Sequence, residues 1–273
     1  MRFLALACLL LLAACNSEKV ELAFGTSQED ETYFVSAVMD ATVELDSDST
    51  AKPESMHTSL FLSSKFSMLA AYDDGSSRYQ VEIDSVSYTS DKRSMEELAY
   101  MERSIKTQGF QYKIASDGEI MSMPAAENFV PVLGAYDLDV AKLFVKLQPV
   151  LPGKPVAVGE SWERQHAASE SDKQTIIYKT FTLEDVFYRG ASKIAKIELG
   201  VRYKQNDEDS VMKLESKDFL VGRGTLLFDV SLGRIEEISV EITGNLTIHE
   251  KAGSKTYPDF NVRQKLKMKR GEA

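Results

Sequence analysis

Apolar residues occupy every second position of this chain over runs much longer than an ordinary strand, and that pattern limits the fold more than any other feature. Between 33 and 45 the odd positions read Tyr33, Val35, Ala37, Met39, Ala41, Val43 and Leu45, while Thr32, Ser36, Asp40, Thr42 and Glu44 fill most even ones. A helix would scatter these side chains around its axis, because its faces recur every 3.6 residues. A strand gathers them on one face, so the stretch predicts a half-buried strand about 40 Å long at roughly 3.3 Å per residue. Residues 56–72 repeat the device on even positions, with Met56, Leu60, Leu62, Phe66, Met68, Ala70 and Tyr72. Asp73-Asp74-Gly75-Ser76 then reads as a turn. Tyr79, Val81 and Ile83 begin a third strand whose phase slips near Ser85, the mark of a bulge.

Further strands are predicted near 160–167, 174–187, 191–204, 211–221, 224–231, 234–248 and 259–269, with a hairpin over 110–123 turning on Ser116-Asp117-Gly118. The last strand sets Val262, Gln264, Leu266 and Met268 against Arg263, Lys265, Lys267 and Lys269, which reads as an edge strand with a solvated basic face. Helix is confined to two stretches. Ser94 can cap a helix with Glu96 and Glu97 in its first turn, carrying Met95, Leu98, Met101 and Ile105 on one face before Gly109. Asp137 to Gln148 is the second, with Leu138, Ala141, Phe144, Val145 and Leu147 ahead of Pro149. An offset of about 115 residues lays 56–72 onto 171–187 and Gly109…Gly118 onto Gly224…Gly233, which reads as two related halves; against it, 94–108 looks helical and its counterpart looks like strand. The expected fold is mainly β, a long antiparallel, strongly curved sheet with one or two short helices packed on it.

The N-terminus carries an address. Met1-Arg2 is followed by an unbroken apolar run from Phe3 to Leu12, too short to span a bilayer, and Leu12-Ala13-Ala14-Cys15 closes it. That ending resembles the lipobox of bacterial lipoproteins, which implies cleavage between Ala14 and Cys15 and acylation of Cys15, palmitate included. Cysteine usage fits, since Cys8 leaves with the signal and Cys15 becomes the anchor, so no thiol remains for a disulfide. Asn16, rather than Asp, follows the cysteine, and in Gram-negative lipoproteins that resemblance implies the outer membrane. The organisation expected is a signal over 1–14, a polar tether over 15–30, an N-terminal β half with helices over 31–148 and a C-terminal β half over 149–273. The body would face the periplasm or the cell surface.

Composition removes several classes. With 43% hydrophobic and 27% charged residues the chain is neither disordered nor collagen-like. A net charge of −10, one unit more negative once Arg2 is lost, repels phosphate backbones and argues against a nucleic-acid partner. His57, His166 and His249 share no ligand spacing, and no Cys-x-x-Cys, His-Glu-x-x-His or calcium-loop pattern occurs; Asp46-Ser47-Asp48 reads as a polar turn. Neither metal nor cofactor is called for. There is no Gly-x-Ser-x-Gly, Ser210-x-x-Lys213 stands alone, and Gly222-Arg223-Gly224 does not open a helix. The acid pairs Asp73-Asp74, Glu96-Glu97 and Glu236-Glu237 fall at turns or on solvated faces. No catalytic residue is assigned.

Leu151-Pro152-Gly153-Lys154-Pro155-Val156-Ala157-Val158-Gly159-Glu160-Ser161-Trp162 resembles the signature of an uncharacterised family of bacterial envelope β-proteins: Leu-Pro, then Pro-Val, then Val-Gly, an acid and Trp. Gly222-Arg223-Gly224 followed by Phe228-Asp229 and Gly233 fits the same family, over roughly 149–248. The resemblance implies a C-terminal β half and no catalytic residues. Physically the stretch is an elbow, with prolines fixing the crossing and Trp162 able either to plug the core or to offer a ligand platform. The function expected is an outer-membrane-anchored lipoprotein with a non-catalytic β body and, in its sharper form, a site for a lipid or other apolar ligand, the adaptable Met39, Met56, Met68, Met95, Met101, Met121 and Met123 either lining such a site or simply filling the core. The alternatives are an envelope scaffold that binds another protein through a strand edge, and an undetected hydrolase.

Overall fold

A computed structural model describes residues 19–26, 29–44, 53–122, 140–167, 175–205, 219–249 and 256–271. Ala14, Cys15, Asp46, Ser47, Asp48, Met123, Ser210 and Lys213 lie outside the described residues. In chain order the elements are β1 (Glu31–Glu44), β2 (Glu54–Ala71), β3 (Ser77–Ser90), α1 (Met95–Lys106), β4 (Phe110–Ile114), β5 (Ile120–Ser122), α2 (Val140–Leu147) and β6 (Ser161–Ala167). β7 (Thr175–Arg189), β8 (Ser192–Gln205), β9 (Phe219–Asp229), β10 (Arg234–His249) and β11 (Thr256–Arg270) follow. All eleven strands form one antiparallel sheet in the order β5-β4-β3-β2-β1-β11-β10-β9-β8-β7-β6. It curls without closing, so β5 and β6 are its two free edges.

The sheet is two meanders joined where β1 meets β11. Along that seam Val35 faces Met268, Ala37 faces Leu266 and Met39 faces Gln264, all buried. β11 is therefore a central strand and not the edge its lysines imply. Its basic face is accommodated by its neighbour β10, whose Glu237 pairs with Lys267 at 2.9 Å and whose Glu241 pairs with Arg263. The bulge expected near Ser85 is present, the register of β2 and β3 shifting between Ser63 and Ser64.

α1 starts from a complete capping box: Glu97 N donates to Ser94 Oγ, and Ser94 N donates to the Glu97 carboxylate at 2.8 Å. β4 pairs only with Ser77–Val81, so α1 takes over alongside the rest of β3, where Tyr88 N donates to Glu102 Oε1 at 2.9 Å. Met101 and Ile105 enter the core, and Leu98 packs at its margin. The stripe does not extend to Met95, which is 83% exposed because the first residue of the helix precedes its contact with the sheet.

The segment expected to be a polar tether is partly built into the body. Val20 and Val156 exchange backbone hydrogen bonds of 2.7 and 2.9 Å, Phe24 N donates to Ser116 O, and Gly25 N donates to Gly233 O. Val20 and Leu22 are buried, and Phe24 meets Phe228 edge-on at 5.4 Å. Apolar burial outweighs the surrounding glutamates, because Val20, Leu22 and Phe24 alternate and line one face of an extended segment.

Candidate functional site

The concave side of the curl holds α2. Val140, Ala141, Leu143, Phe144 and Leu147 are all buried there. One wall is aromatic: Phe144 lies 5.2 Å from Phe66 and 5.5 Å from Phe110, and Phe66 in turn meets Tyr33 and Tyr112 edge-on. The other wall is aliphatic, with Ile177, Val201, Val240, Ile242 and Leu266 around the buried Lys146. Burial holds the Tyr33 and Tyr112 hydroxyls well above the ordinary tyrosine range. Tyr33 nonetheless has partners, donating towards Glu31 and the Ile235 carbonyl at 3.0 and 3.1 Å.

Two polar ties fix the ends of α2. Gln108 Oε1 accepts from Val140 N at 3.1 Å. At the other end Lys179 Nζ, reaching in from β7, donates to the carbonyls of Val145, Lys146 and Gln148 at 3.1 to 3.3 Å. A cation against the C-terminal carbonyls of a helix satisfies groups that otherwise lack partners and opposes the negative end of the dipole. Burial pushes Lys179 down to about 8. Burial, reinforced by the charge of Lys179, pushes Lys146 down to about 7. Beside Lys179, between β5 and β6, lies a cavity of about 190 Å³ bounded by Ile120, Val145, Val150 and Arg164 among others. Sequence reasoning missed this pair. The available sign was Lys179 on the inward phase of β7, between Ile177 and Phe181.

Trp162 plugs the core. It is buried, stacks on Phe181 at 5.4 Å and donates through Nε1 to Val150 O at 2.8 Å, so it belongs to the core and is not an open ligand platform. The elbow before it turns at Gly153 and Gly159, both at positive φ, and Arg164 braces it through the Leu151 and Pro152 carbonyls. Among the described residues the candidate methionines are divided between core and surface. Met39 and Met101 are buried in the core, whereas Met95 and Met121 face solvent.

The remaining candidates separate in space. His57 lies on the surface with Nδ1 2.7 Å from Asp40, and the side chains of His166 and His249 are outside the described set. Among the described residues no three His, Cys, Asp or Glu side chains gather as a metal site. Asp73 and Glu96 are exposed. Glu31 and Glu236 are half-buried carboxylates, and both are engaged by arginine: Arg234 with Glu31 at 2.8 Å, Arg270 with Glu236 at 2.8 Å. A second surface hollow, about 390 Å³, lies on the outer face between the half-exposed Phe34 and Phe61, next to Lys267 and Lys269.

Fold and site together define a curled antiparallel β body whose concavity is occupied by one apolar helix. No family model matches the chain, and no curated protein does either. Among solved structures, lipovitellin, described for its lipid–protein interactions, aligns over 90% of this chain and 25% of its own with 11% identity and a TM-score of 0.52. The chain thus spans about a quarter of that protein, and the likeness is one of fold. DynF from the dynemicin pathway of Micromonospora chersina aligns over 93% of this chain and 86% of its own at 6% identity and TM-score 0.23. A mutant of Rh. blastica porin aligns over 89% and 100% at 7% identity and TM-score 0.26. The last two scores are too low to carry an argument.

Proposed function

We propose that this protein is a non-catalytic lipoprotein of the cell envelope, held at the outer membrane by acyl chains on Cys15, whose β body takes up a lipid or another apolar ligand in the concavity filled by α2. The observation that carries the reading is the nature of the filling: an eight-residue helix whose Val140, Leu143, Phe144 and Leu147 are buried in apolar contact, with polar ties at both ends. Burial of that kind is non-directional, so an acyl chain can replace it. Burying Val140, Leu143, Phe144 and Leu147 stabilises by roughly 6–12 kcal/mol at about 1.5–3 kcal/mol each. The roughly fourteen CH₂ groups of a sixteen-carbon acyl chain contribute roughly 11 kcal/mol at about 0.8 kcal/mol each, so the exchange lies within energetic reach. The lipovitellin likeness supports the same reading, since that protein is described for its lipid contacts.

Two observations weigh against the other readings. Among the described residues, strand addition by a partner would have the three residues of β5, the seven of β6 and the short stretch of β7 beyond its pairing with β6, and β6 carries Glu163 and Arg164. A paired-carboxylate hydrolase would need two free carboxylates converging in a cleft, whereas Glu31 and Glu236 are bound by arginines. Native mass spectrometry of the non-acylated body purified from its own host tests the proposal. A retained mass matching a lipid is the expected result; repeated recovery of bare protein, with no uptake of added fatty acid, would exclude it.

A further inference from the structure

We infer that one particular end of the sheet faces the bilayer at close range: the end that carries the β2–β3, β4–β5, β7–β8 and β9–β10 turns. The inference rests on acylation of Cys15, as proposed above, and adds to it an orientation and a contact surface. Its first support is the length of chain between the anchor and the body. Val20 is fixed by its paired hydrogen bonds to Val156, and Leu22 is fully covered. Only Asn16 to Lys19 separate Cys15 from this point, so the body is held within about 18 Å of the acylated residue even when that stretch is fully extended. The strands are 14 to 18 residues long through most of the sheet, which places the opposite end, where α1 begins, roughly 45–60 Å away.

The second support is what the turn end displays. Tyr72, Val158, Tyr188 and Leu232 are 41%, 49%, 71% and 47% exposed; Tyr72, Tyr188 and Leu232 lie in or beside its turns, and Val158 lies in the elbow to which Val20 is bonded. Single exposed apolar residues are ordinary on a protein surface. These share the end to which the short tether leads. Two of the four are tyrosines, whose apolar ring and polar hydroxyl suit the headgroup layer. Lys113 sits 4.4 Å over the Tyr72 ring, so a cation accompanies one of the two. Asp74, which pairs with Lys113 at 3.7 Å, lies on the same end, so the contact is aromatic and apolar rather than driven by net charge. The occupant is therefore a lipid surface: acyl chains hold the protein there and the turn end sets its attitude.

The test uses the mature acylated protein in vesicles of phosphatidylethanolamine and phosphatidylglycerol. Cys8 leaves with the signal and Cys15 is acylated, so an introduced cysteine is the single free thiol. Tyr188→Cys, Leu232→Cys and Met95→Cys are each labelled with an environment-sensitive fluorophore and quenched by a lipid carrying a nitroxide on its headgroup. All three positions are exposed, so the fold tolerates the changes, which circular dichroism checks. Strong quenching at 188 and 232 with little at 95 is expected. Equal quenching at all three, or the strongest at 95, overturns the orientation while leaving the anchor intact. Protein that does not associate with vesicles at all removes the anchor, and the orientation falls with it.

Discussion

The two halves of the sheet turn their chains with the same device and then diverge. Gly75 in the β2–β3 turn and Gly190 in the β7–β8 turn are both at positive φ, as are Gly118 in the β4–β5 turn and Gly233 in the β9–β10 turn, and each pair is separated by about 115 residues. In the C-terminal half, β9 and β10 run to 11 and 16 residues, and β10 supplies the strand against which β11 lies. The corresponding β4 and β5 are five and three residues, and α1 covers what they leave of β3. One half thus ends the sheet with a helix, and the other extends it towards the centre. The concavity inherits the difference: its N-terminal wall is aromatic, and its C-terminal wall is aliphatic around the two buried lysines. Turn chemistry sets where the chain reverses, and strand length decides what the reversal builds.

If α2 is core to both walls, Phe144→Ala should have the largest effect, lowering stability by about 3–5 kcal/mol in chemical denaturation. Leu143→Ala should cost about 2–5 kcal/mol, and Leu98→Ala on α1, at the margin of the core, clearly less. A neutral Phe144→Ala would mean that the aromatic wall does not depend on the helix.

The buried lysines make the C-terminal wall sensitive to pH. Lys146 and Lys179 are held at about 7 and about 8 in the folded chain and revert to about 10.5 when it unfolds. Between these values the unfolded state binds more protons, so stability should rise with pH from about 7 to 9.5, by an amount of order a few kcal/mol. Above about pH 10 the slope should reverse, because the unfolded chain ionises Tyr33 and Tyr112 before the folded one does. Melting temperatures read across that range should flatten in Lys146→Met. An unchanged profile in that variant would show that the lysine is solvated.

Much of the sheet was legible, because a half-buried strand writes its two faces into alternate residues. The long strands, the bulge at Ser85 and the turn at Asp117-Gly118 all follow from that periodicity and from glycine. The pairing of β1 with β11 was not legible, since alternation says which face is buried and never which strand is the neighbour. For that reason the lysines of β11 read as edge protection when they cross-link to Glu237 and Glu241. Residues 20–25 were hidden differently, by glutamates that flank a short alternating run. Of the candidate site, the apolar face of α2 was visible and its ties to Gln108 and Lys179 were not, because both are contacts across the fold.

The turn glycines offer a finer comparison. A methyl group on Gly118 would meet Phe24 and the Pro149 carbonyl, and one on Gly233 would meet the backbone of Gly25, whereas Gly190 has open space around it. Gly118→Ala and Gly233→Ala should each cost more than the roughly 1 kcal/mol expected at Gly190 from positive φ alone. Equal costs at the three positions, measured by thermal denaturation, would show that the N-terminal segment is not clamped between the two turns.

The central claim is that the concavity, and not the outer face, receives an apolar chain. A photoreactive fatty acid incubated with the purified body, cross-linked and mapped by peptide mass spectrometry, addresses it directly. The account predicts label on the concave walls and on α2, at residues such as Phe66, Phe110, Phe144 and Ile242. Label concentrated at Phe34 and Phe61 on the outer face, or none above that on an unrelated protein, would contradict it.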